Sequence, residues 1–171
     1  MKRLMYNKNT KGEKKNRKEV KKMKKVDLRP FANTDSKNNG IAREWAVCRY
    51  FGIKRTKHDS KDYKSSSDVE LINGRNISVK SPGFSLMNGT LCRGCNTFEG
   101  IWRRYYKNCH SNEWAFVTKD WQCYFMDKKE FSKLIHKFGY IAHESSSKGG
   151  DMKIRTRNNK ELIAWLESQV A

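Results

Sequence analysis

The stretch from Ser67 to Ser81, SDVELINGRNISVKS, constrains this chain more than any other, because apolar and polar residues alternate on both sides of an Asn-Gly pair. Successive side chains leave a strand on opposite faces, so alternation marks a half-buried strand. A two-residue Asn-Gly turn would place Asp68 opposite Val79 and mix charge with core on both faces. A three-residue loop, Asn73-Gly74-Arg75, instead pairs Asp68 with Lys80 and Glu70 with Ser78. Val69, Leu71, Ile77 and Val79 then share an apolar face, and Asp68, Glu70, Ser78 and Lys80 gather on the other.

Two carboxylates beside a lysine suit phosphodiester hydrolysis. Mg²⁺ prefers carboxylate and water oxygens, bridges the scissile phosphate and acidifies the attacking water. Lys80 would orient that water or steady the charge on the phosphate. The plain alternative is a solvated hairpin face with a cross-strand Asp–Lys pair, a contact of ~0.2–1 kcal/mol. Glu44 bears on the choice. In IAREWAVCRYFG, Ile41, Trp45, Cys48 and Phe51 recur at helical spacing and Gly52 supplies a stop. On that helix Glu44 falls between Cys48 and Phe51, inside the apolar arc and away from Arg43 and Tyr50. A core-facing carboxylate asks for a cation, a metal or a neighbouring arginine, unless its side chain reaches the edge of the arc.

The rest of the chain reads as one ordinary domain with a basic arm. Residues 1–33 form the arm, disordered or helical on a phosphate backbone, with twelve Lys or Arg among the first 25 residues against Glu13 and Glu19. Residues 34–171 form an α/β domain, opened by the turn-rich linker NTDSKNNG. IKRTKH suggests a short strand, TFEGIWRRYYKN a helix, and EWAFVT with WQCYFM a hairpin turning at Lys119 and Asp120. A helix over residues 127–138 is capped by Asp127 and buries Phe131, Leu134, Ile135 and Phe138. A strand MKIRTR and a helix KELIAWLESQV follow. Among 171 residues, 37 Lys and Arg against 18 Asp and Glu give a formal charge of +19, which favours polyanions through counterion release. The expected partner is nucleic acid. No apolar run approaches membrane-spanning length, and the basic N-terminus lacks a signal's apolar core, so no membrane partner and a cytoplasmic address are expected. Five cysteines, an odd number, are expected as reduced thiols.

The order of a helical Glu44, a strand Asp68 and then Ser78-Val79-Lys80 resembles the PD-(D/E)xK nuclease superfamily, which includes restriction endonucleases and Holliday-junction resolvases. The likeness spans roughly residues 40–82. It implies a restriction endonuclease-like mixed sheet flanked by helices and a Mg²⁺-dependent endonuclease, with Mn²⁺ as a substitute. By the same resemblance Glu44 and Asp68 are metal ligands, Val79 offers its carbonyl, Lys80 is the catalytic lysine, DNA is favoured over RNA and homodimers are expected. Two positions depart from the pattern: Ser67 stands for a loosely kept proline, and Ser78 for the second acid. Glu70, expected across from Ser78, would project its carboxylate into the vacancy. The rival reading is a nuclease scaffold with a broken site that binds nucleic acid or a nucleoprotein complex, as a regulator or a mobile-element inhibitor of host machinery.

Basic residues that would track a phosphate backbone are Arg43, Lys54, Arg55, Lys57, Arg103, Arg104, Lys107, Arg155 and Arg157; a solvated face is the alternative for each cluster. Cys92 and Cys95 have zinc-knuckle spacing, with Cys109 or His110 as later ligands, so a structural Zn²⁺ competes with free thiols in a turn. The four histidines show no ligand spacing. Neither a Gly-x-Ser-x-Gly elbow nor a Walker-type glycine loop occurs.

Overall fold

Asp127 ends one strand and caps the helix that follows: its carboxylate accepts the Glu130 N–H at 2.9 Å while Glu130 Oε2 accepts the Asp127 N–H at 3.0 Å. Thr97 caps the preceding helix through the Gly100 N–H at 3.2 Å. The computed structural model describes residues 23–32, 39–53, 68–83, 95, 97–142, 151–155 and 159–170. In chain order these give β1 (Lys24–Asp27), a 3₁₀ turn (Arg29–Phe31), α1 (Asn39–Tyr50), β2 (Val69–Glu70), β3 (Asn76–Lys80), α2 (Phe98–Asn108), β4 (Glu113–Val117), β5 (Gln122–Asp127), α3 (Lys128–Phe138), β6 (Gly139–Ala142), β7 (Asp151–Ile154) and α4 (Asn159–Gln169).

The main sheet runs β1-β5-β4-β3-β2, with β3 and β4 parallel and every other pair antiparallel. A parallel pair cannot be joined by a tight turn, and α2 lies between β3 and β4 in the chain. Side-chain alternation divides the core in two. Ile77, Val79, Ala115, Val117, Cys123 and Phe125 meet Ala46, Val47 and Cys48 of α1. Trp114, Phe116, Tyr124 and Met126 meet α2, α3 and α4 through Ile101, Tyr105, Phe131, Leu134, Leu162 and Leu166. Trp114 stacks on Phe131 at 4.7 Å and donates its indole N–H to the Tyr105 hydroxyl at 3.1 Å. The expected α/β fold, a mixed sheet flanked by helices, is the one observed.

The segment assigned to the basic arm extends less far than its charge suggests. Residues 24–27 pair with β5 as an edge strand, and Met23 and Leu28 are buried in the core. Lys24 and Lys25 made this stretch look like tail, yet exposed lysines are what an edge strand carries against edge-to-edge pairing. Lys25 Nζ and the Tyr124 hydroxyl both bond Glu167 Oε1 at 2.6 Å, tying β1 and β5 to α4. Residues 1–22, the linker 33–38 and most of IKRTKH lie outside the described residues.

The β2–β3 hairpin corrects the expected register by one loop position. Gly74 takes a left-handed φ of +79°, the Gly74 N–H bonds the Leu71 carbonyl and the Leu71 N–H bonds the Arg75 carbonyl, both at 2.9 Å. A left-handed residue closes a three-residue loop from its last position, so the loop is Ile72-Asn73-Gly74 and not Asn73-Gly74-Arg75. Val69 therefore pairs with Ile77 and Glu70 with Asn76. The shift by two residues preserves which face each side chain occupies and changes its partner. A Cβ at Gly74 would meet open space, so Gly74→Ala is expected to cost about 1 kcal/mol from backbone conformation alone, and Gly74→Asn less, in urea denaturation.

Candidate functional site

Asp68 stands just before β2, at the end of the hairpin away from its loop. Its backbone N–H donates to the Ile77 carbonyl at 2.9 Å. Its carboxylate reaches across to β3, where Oδ2 accepts the Val79 N–H at 2.7 Å and the Ser78 hydroxyl at 3.3 Å. Ser78 is fully buried, lying beside Trp114 in the β3–β4 ladder. The side chain thus takes a backbone donor that a longer β2 would have paired, and satisfies a buried hydroxyl at the same time. Tyr105 packs on this side of the sheet. Burial pushes its phenol well above the ordinary value, with the Cys109 thiol and, more weakly, the Asp68 carboxylate acting in the same direction, so it remains a neutral hydroxyl.

The other expected site residues take distinct places around this contact. Glu70 is exposed and faces Asn76, so it does not stand across from Ser78 and the compensating carboxylate is not delivered there. Lys80 is half-buried two residues beyond Ser78, paired in register with Phe116 and not with Asp68. Val79 is buried on the opposite face, and its N–H is the group held by Asp68. Glu44 is half-buried with one carboxylate oxygen shut off from solvent. Its helix, α1, packs on the Val69, Ile77 and Val79 face, whereas Ser78 belongs to the other. Among the described residues, no three His, Cys, Asp or Glu side chains come together to hold a metal ion.

Helix α1 buries a different charge from the one expected. Ala42, Arg43, Ala46, Val47 and Cys48 are buried, while Trp45, expected in the core, is 42% exposed. Arg43 is 8% exposed, its guanidinium lies 5.8 Å from the Trp121 ring centroid, and burial pushes its pKa down. Trp121 is the one non-glycine residue with a left-handed φ, 66°, among the described residues, held where its carbonyl accepts the Leu28 N–H at 2.8 Å. Arg43 is therefore turned inward beside a strained turn. Sequence reading missed this because it weighted large apolar residues, whereas α1 approaches the sheet through small ones.

Of the remaining basic residues, Arg103, Arg104 and Lys107 are exposed on α2, with Arg104 Nη1 at 3.8 Å from Cys95 Sγ. Arg155 is exposed with its guanidinium 4.7 Å from the Tyr140 ring. Lys54, Arg55, Lys57, Arg157 and Cys92 lie outside the described residues, and among the described residues Cys48, Cys95, Cys109 and Cys123 form no disulfide. A bidentate pair, Arg75 Nε and Nη2 on Glu113 at 2.7 and 2.8 Å, braces the hairpin loop against the start of β4.

No family model, curated protein or solved structure matches this chain. The chain is an α/β protein whose five-stranded mixed sheet and flanking helices are compatible with a nuclease-like architecture in general.

Proposed function

We propose that this chain is a nucleic-acid-binding protein on a nuclease-like frame, in which the Asp68–Ser78 hairpin is a structural lock and not a hydrolytic metal centre. One observation carries this reading: the Asp68 carboxylate is engaged by the Val79 N–H at 2.7 Å and the Ser78 hydroxyl at 3.3 Å, beside a serine with no solvent exposure. The formal charge of +19 supports a polyanionic partner. A metal-dependent nuclease is the second reading. It is favoured by the meeting of Asp68 with the Ser78-Val79-Lys80 strand, as the resemblance requires.

The two readings part in a single experiment. Plasmid, linear duplex, single-stranded DNA and RNA are incubated with wild type and Asp68→Ala in Mg²⁺, Mn²⁺ or EDTA, with binding and cleavage both recorded. The expected outcome is binding in all three buffers without cleavage. Cleavage by wild type that needs both the metal and Asp68 would replace the binding reading with the hydrolytic one.

A further inference from the structure

Helices α2 and α3 pack antiparallel over one face of the sheet. Phe98 and Trp102, early in α2, lie 5.2 and 5.6 Å from the His136 ring, late in α3. At the other end Lys128 Nζ sits 3.3 Å from the centroid of Tyr106. Both helices direct their apolar residues inward: Ile101, Trp102 and Tyr105 from α2, Phe131, Leu134 and Ile135 from α3. The outward side of each is basic. Lys129, Lys133 and Lys137 recur every fourth residue and are exposed, forming one row along α3; Arg103 and Lys107 form a second on α2. Together the two helices carry seven Lys or Arg against two Glu, and one of those, Glu130, is engaged in the helix cap. Successive cations within a row are about 6 Å apart along the axis, roughly twice the rise per phosphate of a DNA strand.

We infer that this two-row plate is the surface on which duplex DNA docks, through its phosphates and without base readout. The inference rests on the nucleic-acid-binding reading above and names the surface and the form of the ligand. Charge complementarity selects a polyanion, and the rings select the form. Binders of single strands present aromatic platforms for unstacked bases. Here Trp102, Tyr105 and Phe131 are buried, and the exposed Tyr106 ring carries Lys128 Nζ 3.3 Å from its centroid. The surface offers cations in line, and its exposed tyrosine ring is already engaged by a lysine, which suits a backbone whose bases remain stacked.

The test measures binding of a labelled DNA duplex by fluorescence anisotropy over a range of salt concentrations. Wild type is compared with K129Q/K133Q/K137Q and with a charge-matched control, K24Q/K119Q/K160Q, whose lysines are scattered over β1, the β4–β5 turn and α4. Each phosphate contact contributes about 0.9 to the slope of log affinity against log salt. The row variant is expected to bind at least tenfold more weakly at low salt, with a slope shallower by about 2–3; the control should stay within threefold of wild type. Equal losses in both variants would overturn the inference. So would tighter binding of wild type to single-stranded DNA, duplex RNA or anionic vesicles than to duplex DNA. Wild type that binds no nucleic acid overturns the functional reading and this inference together, whereas duplex binding unchanged in the row variant overturns this inference alone.

Discussion

Replacing Asp68 with alanine is expected to lower folding stability by about 2–4 kcal/mol in metal-free buffer, read as a shifted midpoint in urea denaturation. The loss has two parts. A charge-assisted hydrogen bond from the Val79 N–H at 2.7 Å disappears, and the buried Ser78 hydroxyl loses the partner it meets at 3.3 Å. Donors left without their acceptor are the costly part. Asp68→Asn keeps one acceptor oxygen in place and is expected to retain roughly half of the stability. A carboxylate kept only to bind a metal behaves differently: removing it in EDTA relieves repulsion among ligands and leaves stability unchanged or raised. The denaturation curve therefore separates a lock from a ligand without any cleavage assay.

Ser78→Glu is the second large effect. The position is fully buried, is filled by a small side chain and lies in hydrogen-bond contact with a carboxylate. A glutamate there adds volume to a packed site and a second negative charge beside Asp68. The expected destabilisation is about 3–5 kcal/mol, the range for an uncompensated buried charge. Because Glu44 lies on a helix over the other face and Glu70 points to solvent beside Asn76, the new acid finds no ready set of co-ligands. Mn²⁺ is thus expected neither to restore the melting temperature of Ser78→Glu nor to give it nuclease activity. Recovery of both by Mn²⁺ would mean that the acids converge after all.

The hairpin shows how far the sequence carries and where it stops. Alternation is a property of parity, so the faces of Val69, Ile77, Val79 and Ser78 were legible from residue order alone. Register is a property of the turn, and it depended on Gly74 needing the last loop position, a conformational demand invisible to the polar–apolar pattern. That one step decided which residues meet: Asp68 came to Ser78 and not to Lys80, and Glu70 to Asn76. Helix boundaries were read well where a side chain caps the backbone, as at Thr97 and Asp127. They were uninformative about α1, where Ala42 and Ala46 let the helix approach the sheet closely and turned Arg43 inward and Trp45 outward. Strand β1 was hidden because Lys24 and Lys25 continue the charge of the arm, although Val26 and Leu28 already alternate. The short β6–β7 pair was missed in its first strand, since Gly139 to Ala142 follows α3 without an intervening turn residue pattern.

The most direct measurement is the melting temperature of wild type and Asp68→Ala, each in EDTA and in Mn²⁺. A ligand that binds only the native state raises that temperature in proportion to its affinity. If Asp68 is a lock, the variant melts below wild type in EDTA and Mn²⁺ moves neither protein. A variant that melts at or above wild type in EDTA, together with a wild type that Mn²⁺ stabilises and a variant that it does not, would contradict the account.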